Sequence, residues 1–261
     1  MHKRNTKQRR HQIIEYVNEL GEITVEQLVK HFHCSAVTIR KDLAVLEDAG
    51  LLLRRFGGAK ALPHESTSAH LDNGSCEHKQ AIAQVAASLI KPNSRIIIDS
   101  GATCSALLPY LDQVSGLVIM TNSLSTASQL RELENEATIL MSGGTWDQRS
   151  ESFQGQQAEH MLRQYNFDLL FIGADGLDPK RGTTTYNEFT GLSRCMADVS
   201  EKVIVLAEAE KSHRKIPNLE LSWDQVDILI TDAGLSPEQQ QQITKQGSQV
   251  LIATEESLCV E

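Results

Sequence analysis

From residue 78 to residue 253, short apolar runs alternate with stretches of helical period, and this alternation narrows the fold more than any other feature of the chain. The pattern predicts a helix over His78–Ile90, a strand over Arg95–Asp99, a helix from Thr103, a strand over Leu117–Thr121, a helix from Ser125 and a strand over Ala137–Met141. It continues with a helix over Gly155–Tyr165, a strand over Leu169–Gly173 and a helix around Glu188–Val199. Strands at Lys202–Ala207 and Ile228–Thr231, a helix over Pro237–Lys245 and a strand at Gln249–Ala253 complete it. Strands that alternate with helices imply a mainly parallel sheet covered on both faces, whose ligands bind outside the carboxyl ends of the strands.

The loops at those ends are polar and rich in glycine. They read Asp99-Ser100-Gly101-Ala102-Thr103, Thr121-Asn122-Ser123, Ser142-Gly143-Gly144-Thr145 and Gly173-Ala174-Asp175-Gly176. A glycine and hydroxyls opening a helix let backbone N–H groups converge on an anion, with the helix dipole adding attraction. One such loop is no more than turn geometry requires. Four on one rim point to a phosphorylated, hydroxyl-rich ligand.

The first sixty residues follow a different plan. Ile13, Ile14, Val17 and Leu20 recur at helical spacing before Gly21; Thr24 with Gln27 opens a second helix; Ser35 caps a third, Ala36–Ala49, ended by Gly50. Leu51–Arg55 reads as a strand, Phe56-Gly57-Gly58 as a turn and Ala59–Leu62 as the return, which makes a wing. Two helices joined by a short turn suit a helix-turn-helix, whose second helix enters the major groove by its N-terminal residues. The plainer alternative is a three-helix cap with a solvated basic face.

Charge separates the two parts. Residues 1–62 hold 11 Lys/Arg and 7 Asp/Glu, a net +4, whereas the remainder is −13 within a total of −9. A basic head on an acidic body suits a module that meets phosphates, attached to one that repels them. Residues 62–76 are small, polar and without period, which reads as a linker. No run approaches a membrane span, the basic stretch Met1–Arg10 lacks an apolar signal core, and five scattered cysteines suit reduced thiols, so a cytoplasmic protein with no membrane partner is expected. His31, His33 and Cys34 lie too close together, without a fourth ligand, to form a tetrahedral metal site; no metal and no cofactor are expected.

The stretch Ser35-Ala36-Val37-Thr38-Ile39-Arg40-Lys41-Asp42-Leu43, followed by Leu46-Glu47, Gly50 and Gly57-Gly58, resembles the recognition-helix signature of the DeoR family of sugar-metabolism repressors. The loops of the body resemble the effector domain of that family, which is similar in fold to ribose-5-phosphate isomerase. The resemblance implies an α/β protein with an N-terminal winged helix-turn-helix (1–61), a linker (62–76) and a larger, mainly parallel α/β sensor domain (77–261). Its partners would be a double-stranded DNA operator, a phosphorylated sugar or sugar-alcohol effector, and further copies of itself in a dimer or tetramer.

Carried over residue by residue, Ser35, Val37, Thr38, Arg40 and Lys41 on the recognition helix, with Arg54, Arg55 and Lys60 on the wing, would meet DNA. Arginine can donate two hydrogen bonds to a guanine edge, and lysine suits a phosphate. Asp42 would orient Arg40 or cap locally. In the body, Gly101 and Thr103 would hold the phosphate beside Asp99. Thr121, Asn122, Ser123, Gly143 and Gly144 would line the rim, Asp175 and Glu188 would accept from sugar hydroxyls, and Lys211 would pair with phosphate or with Glu208 and Glu210. Within the family, Met120-Thr121-Asn122-Ser123-Leu124 and Ser152-Phe153 resemble the repressors of hexitol and amino-sugar operons.

An isomerase needs a base and a charged group to stabilise an enediolate. Where the isomerase pattern carries a carboxylate this chain has Ile172, and where it carries a glycine-rich lysine loop this chain has Arg181-Gly182-Thr183-Thr184. A sensor without catalysis is expected. The residues alone leave activator and repressor open, and the resemblance favours repressor.

Overall fold

The computed structural model describes residues 9–10, 12–14, 16–17, 20–48, 52–55, 57–60, 73–187 and 190–254. The chain divides into two compact units, residues 1–64 and 65–261.

In the first unit the described residues within 9–20 are helical (α1), followed by β1 (Glu22–Thr24), α2 (Val25–Phe32), α3 (Ala36–Asp48), β2 (Leu53–Arg55) and β3 (Gly58–Lys60). Thr24 and Gln27 form the expected capping box: the Thr24 hydroxyl accepts from the Gln27 amide while the Gln27 side chain accepts from the Thr24 amide. His33 takes a left-handed conformation at the turn into α3. The wing pairs antiparallel in the order β1-β3-β2, so its return strand lies between the other two. Gly58 is needed there, because a Cβ would collide with the Ile23 carbonyl across the strand pair. Ile13, Val17, Ile23, Leu28, Ile39, Leu43, Leu46 and Leu52 are buried together, whereas Leu20, which shares the helical spacing of Ile13 and Val17, and Val37, in step with the inward residues of α3, are exposed. Leu52 is described outside β2, β3 begins one residue earlier than expected, at Gly58, and Leu51, Phe56, Ala61 and Leu62 lie outside the described residues.

The second unit opens with α4 (Asn73–Ala87), so residues 73–76, read as linker, begin a helix instead. Then come β4 (Arg95–Ile98), α5 (Ala102–Ser105), β5 (Val118–Thr121), α6 (Leu124–Leu130), β6 (Thr138–Met141), β7 (Thr145–Asp147), β8 (Ser152–Gln154), α7 (Gln156–Leu162) and β9 (Phe167–Ile172). The chain continues through β10 (Gly176–Asp178), β11 (Gly182–Thr185), α8 (Gly191–Asp198), β12 (Ser200–Leu206), β13 (Asn218–Ser222), β14 (Ile228–Asp232), α9 (Pro237–Thr244) and β15 (Gln249–Ala253). Seven strands form one wholly parallel sheet in the order β15-β14-β12-β9-β4-β5-β6.

Alternation along each strand divides the core in two. Ile97, Leu170, Ile172, Val205 and Leu229 pack with α7, α8 and α9 through Ala158, Leu162, Leu192, Met196 and Ile243. Ile96, Ile98, Phe171, Ile204 and Ile230 pack on the other face with Ile82, Ala86, Cys104 and Leu130 from α4, α5 and α6. The sheet is therefore the middle of three layers, as continuous apolar strands require.

Two features were not legible as strands. β7 and β8 form a hairpin between β6 and α7, and β10, β11 and β13 form a separate antiparallel sheet. Gly182 opens β11 at φ 142°, where a Cβ would run into the Leu221 carbonyl of β13. This second sheet springs directly from the end of β9, which is where the site lies.

Candidate functional site

Strand order reverses between β9 and β4: from β4 the chain builds outward through β5 and β6, then returns to lay β9 on the opposite side. Loops that leave adjacent strands in opposite directions open a crevice at their carboxyl ends. Asp99 follows β4, Asp175 follows β9, and Asn122 follows β5 on the neighbouring rim.

The rim is cross-braced by side chains. Asn122 Nδ2 donates to Asp99 Oδ1 at 2.8 Å, and the Ser100 amide donates to Asn122 Oδ1 at 3.1 Å. The Phe153 amide of β8 donates to the Asn122 carbonyl at 2.8 Å, tying the hairpin to the same loop. Thr121, Asn122 and Ser123 are all buried, and Ser123 caps α6 by accepting from the Thr126 amide. Gly143 and Gly144 both have positive φ, but they differ in surroundings. A Cβ on Gly143 would meet open space, while one on Gly144 would stand 2.5 Å from the Gln154 carbonyl. Gly143 has space around it, and Gly144 lets the hairpin pack.

Gly101 precedes α5 at φ 117°, a conformation that favours glycine. Thr103 in that first turn is 1% exposed, and its hydroxyl is buried with no hydrogen-bond partner among the described residues. Asp175 Oδ2 accepts from Thr185 Oγ1 at 2.8 Å and from the Tyr186 amide at 3.1 Å. Lys211 is fully buried and donates from Nζ to the Ala174 carbonyl at 2.8 Å, so it holds the loop that carries Asp175. Arg214 holds the next carbonyl, that of Asp175, from Nη1 at 3.0 Å, and pairs through Nη2 with Glu210. Glu208 lies 3.7 Å from Lys79 of α4. Glu188 lies outside the described residues.

Sequence reasoning passed over Glu220. It projects from β13 between Leu219 and Leu221, accepting from Ser193 Oγ at 2.7 Å and from Thr183 Oγ1 at 3.5 Å. Burial pushes its carboxyl up to about 8; the Ser193 hydroxyl opposes this, while the charges of Asp99 and Asp175 push further. Burial likewise raises Asp99 to about 6 against the hydrogen bonds from Ser100 and Asn122, with Asp175 adding to the rise. Three carboxyls from β4, the end of β9 and β13 thus share one electrostatic neighbourhood. Two cations complete it. Burial raises the Tyr186 phenol, and the positive charges of Arg214 and of Arg149, from the β7–β8 turn, oppose that rise. The period-two pattern Asn-Leu-Glu-Leu-Ser at 218–222 was the available signal for Glu220.

In the first unit, Val37 is 60% exposed on α3, and Arg40 and Lys41 are exposed beside it. An uncovered valine among cations at the start of a helix is what a thymine methyl can cover. Ser35 and Thr38 share a hydroxyl hydrogen bond of 2.9 Å, and the Ser35 hydroxyl accepts from the Thr38 amide, capping α3. Arg55 and Lys60 are exposed on the wing, and for Arg54 the backbone alone is described. Asp42 departs from expectation. It neither caps α3 nor engages Arg40, but lies buried beneath the helix, accepting from Arg9 Nε at 2.7 Å and Arg10 Nε at 2.8 Å. Those partners are more than thirty residues away, so local spacing gave no sign of them. His31 packs at a tilt of 47° against Tyr16, their ring centroids 4.1 Å apart, and edge-on to Phe32. Among the described residues no three His, Cys, Asp or Glu side chains group to hold a metal, and no helix is long and apolar enough to cross a membrane.

Residues 9–65 match the DeoR-like helix-turn-helix domain and residues 75–233 the DeoR C-terminal sensor domain. The chain is 34% identical to a putative aga operon transcriptional repressor of Escherichia coli O157:H7, over 96% of this chain and 95% of that one. It is 31% identical to the glycerol-3-phosphate regulon repressor of Escherichia coli K12, over 87% of this chain and 90% of that one. Among solved structures, ribose 5-phosphate isomerase A from Methanocaldococcus jannaschii covers 54% of this chain and 55% of its own at 15% identity and a TM-score of 0.39. The chain belongs to the DeoR family: it is a DNA-binding transcription regulator, not an enzyme, with a winged helix-turn-helix joined to a parallel α/β sensor domain.

Proposed function

We propose that this regulator is a cytoplasmic repressor of a sugar-utilisation operon, released from its operator by a phosphorylated sugar or sugar alcohol bound at the switch-point crevice. The observation that carries the reading is the Thr103 hydroxyl, buried without a partner in the first turn after Gly101. A buried hydroxyl left unpaired costs about 1–3 kcal/mol, and an anion accepting from it and from the neighbouring amides removes that cost. Asp99, Asp175 and Glu220 supply acceptors for hydroxyl groups, and Arg149 and Arg214 bring positive charge to the same neighbourhood. Asn122 and Ser123 fix the rim, Gly143 leaves room beside it, and Lys211 sets the Asp175 loop. The names of the two relatives support repression, and one of them names a phosphorylated polyol. The phosphorylated ligand is a hexitol or amino-sugar phosphate.

DNA is met by Val37, Thr38, Arg40 and Lys41 of α3, with Ser35 capping it, and by the wing through Arg54, Arg55 and Lys60. The chain acts as a dimer or tetramer, because paired half-sites about one helical turn apart require paired heads.

Thermal melts of the full chain against a panel of hexitol and amino-sugar phosphates test this reading. A ligand that binds only the native state stabilises it by about 2.7 kcal/mol at a hundredfold excess over Kd, and so raises the midpoint. The phosphorylated compounds should shift it and the free sugars should not. Equal shifts from both, or none from any phosphate, would remove the phosphate site.

A further inference from the structure

Arg9, Arg10 and Asp42 form a cluster that packing alone does not call for. One buried carboxylate accepts from two guanidinium groups, through Nε of each. A carboxylate needs a single cation for neutrality, so the cluster keeps a net charge of about +1. Using Nε leaves the Nη edge of each guanidinium outside the bond, with four of its five N–H groups there. Arg10 retains 32% of its side-chain exposure against 3% for Asp42, so the surplus charge faces water at Arg10. Asp42 is the seventh of the thirteen residues of α3, which places this charge level with the middle of the recognition helix. Asp42 is held on the buried face with Ile39 and Leu43, while Arg40 and Lys41 are exposed.

We propose that Asp42 presents Arg10 as a DNA-phosphate contact flanking the major groove entered by α3. The carboxylate takes the guanidinium by one edge and so sets the direction of the other. Arg9, the more buried of the pair, is a positioning residue that helps fix α1 to α3. The cluster makes no base contact; it sets the depth and tilt of α3, on which base reading by Arg40 depends. The inference rests on the DNA-binding role of this domain and is independent of the effector site.

The test is a salt series of the full chain on a short random-sequence DNA duplex, which reads phosphate contacts without needing the operator. Each phosphate contact contributes about 0.9 to the slope of log affinity against log salt. Arg10→Gln should flatten the slope by about that amount, and Arg10→Lys, which keeps the charge, should restore most of it. A merely structural role would lower the melting midpoint and leave the slope alone. The near-isosteric Asp42→Asn gives a second arm that does not depend on the fold of the arginine variants. It sets an amide N–H against one of the two guanidiniums, so Arg10 loses the carboxylate that aims it and the salt slope should flatten toward that of Arg10→Gln. A wild-type slope in Arg10→Gln or in Asp42→Asn would overturn the proposal.

Discussion

Asn122 bridges Asp99 and the Ser100 amide with both ends of its carboxamide, so the loop after β5 dictates the position of the carboxyl after β4. Because its Nδ2 faces a carboxylate, an aspartate at that position would set two acids 2.8 Å apart. Asn122→Asp should therefore destabilise the sensor domain by about 2–4 kcal/mol near pH 8, the cost of an uncompensated buried charge. Near pH 5, below the value of about 6 for Asp99, a shared proton should recover most of it. Thermal melts across that range check this; a deficit independent of pH would show that the bridge serves shape alone.

Glu220 brings a dependence of the same sign into the wild-type chain. Its folded carboxyl is raised from 4.5 to about 8, so below pH 4.5 the folded and unfolded chains are both protonated and the acid costs nothing. Between the two values the folded chain keeps a proton that the unfolded chain has lost, so stability falls as pH rises, and the fall is complete above about 8. Glu220→Gln should remove this slope, stabilising the chain at pH 8.5 by about 1–3 kcal/mol while changing little at pH 4.5. Equal effects at both ends of the range would refute the raised acid.

Thr103 separates ligand binding from folding. Replacing its unpartnered hydroxyl by a methyl in Thr103→Val removes a buried unsatisfied group, so the unliganded chain should be as stable as before or gain about 1 kcal/mol. The same change should abolish stabilisation by sugar phosphates. A loss of unliganded stability in calorimetry would mean that the hydroxyl already has a partner in solution.

The parallel sheet was legible because its strands are apolar runs buried on both faces, as in Arg95-Ile-Ile-Ile98 and Phe167-Asp-Leu-Leu-Phe-Ile172. The loops at their carboxyl ends followed from it, and with them Asp99, Asn122 and Asp175. β11 was not legible, since Gly182-Thr-Thr-Thr185 has neither apolar alternation nor hydrophobic mass, and its burial comes wholly from tertiary packing. Without β11 there was no reason to look at β13, and Glu220 went unremarked although Leu219 and Leu221 flank it with strand periodicity. Lys211 was recognised as a cation near the site, but its burial and its bond to Ala174 depend on a fold that brings β9 and the end of β12 together. Asp42 shows the same limit in the first unit: a helix-surface acid looks local until α1 is laid against α3.

On the DNA side, Arg40→Ala should cost about 1–3 kcal/mol on a preferred sequence and relax base preference, whereas Lys60→Ala should weaken all sequences alike and reduce the salt slope by about one. Val37→Ala should relax the preference for a thymine-containing step with little effect on random duplex. Binding selection on randomised duplexes reads all three. Equal loss by Arg40→Ala on selected and random DNA would assign it to a phosphate.

The most direct test of the sensor account is release of a selected operator by ligand, with phosphorylated and free forms of the same hexitol or amino sugar compared in one binding assay. A coupling of about 1–3 kcal/mol corresponds to roughly 5- to 150-fold weaker operator binding at saturation, since a ligand that prefers one state moves the equilibrium only by its differential affinity. The expected result is release by the phosphorylated form alone, lost in Thr103→Val while operator affinity without ligand stays at the wild-type value. Release by the free sugar to the same extent, or operator affinity unmoved by every sugar phosphate that stabilises the chain, would contradict it.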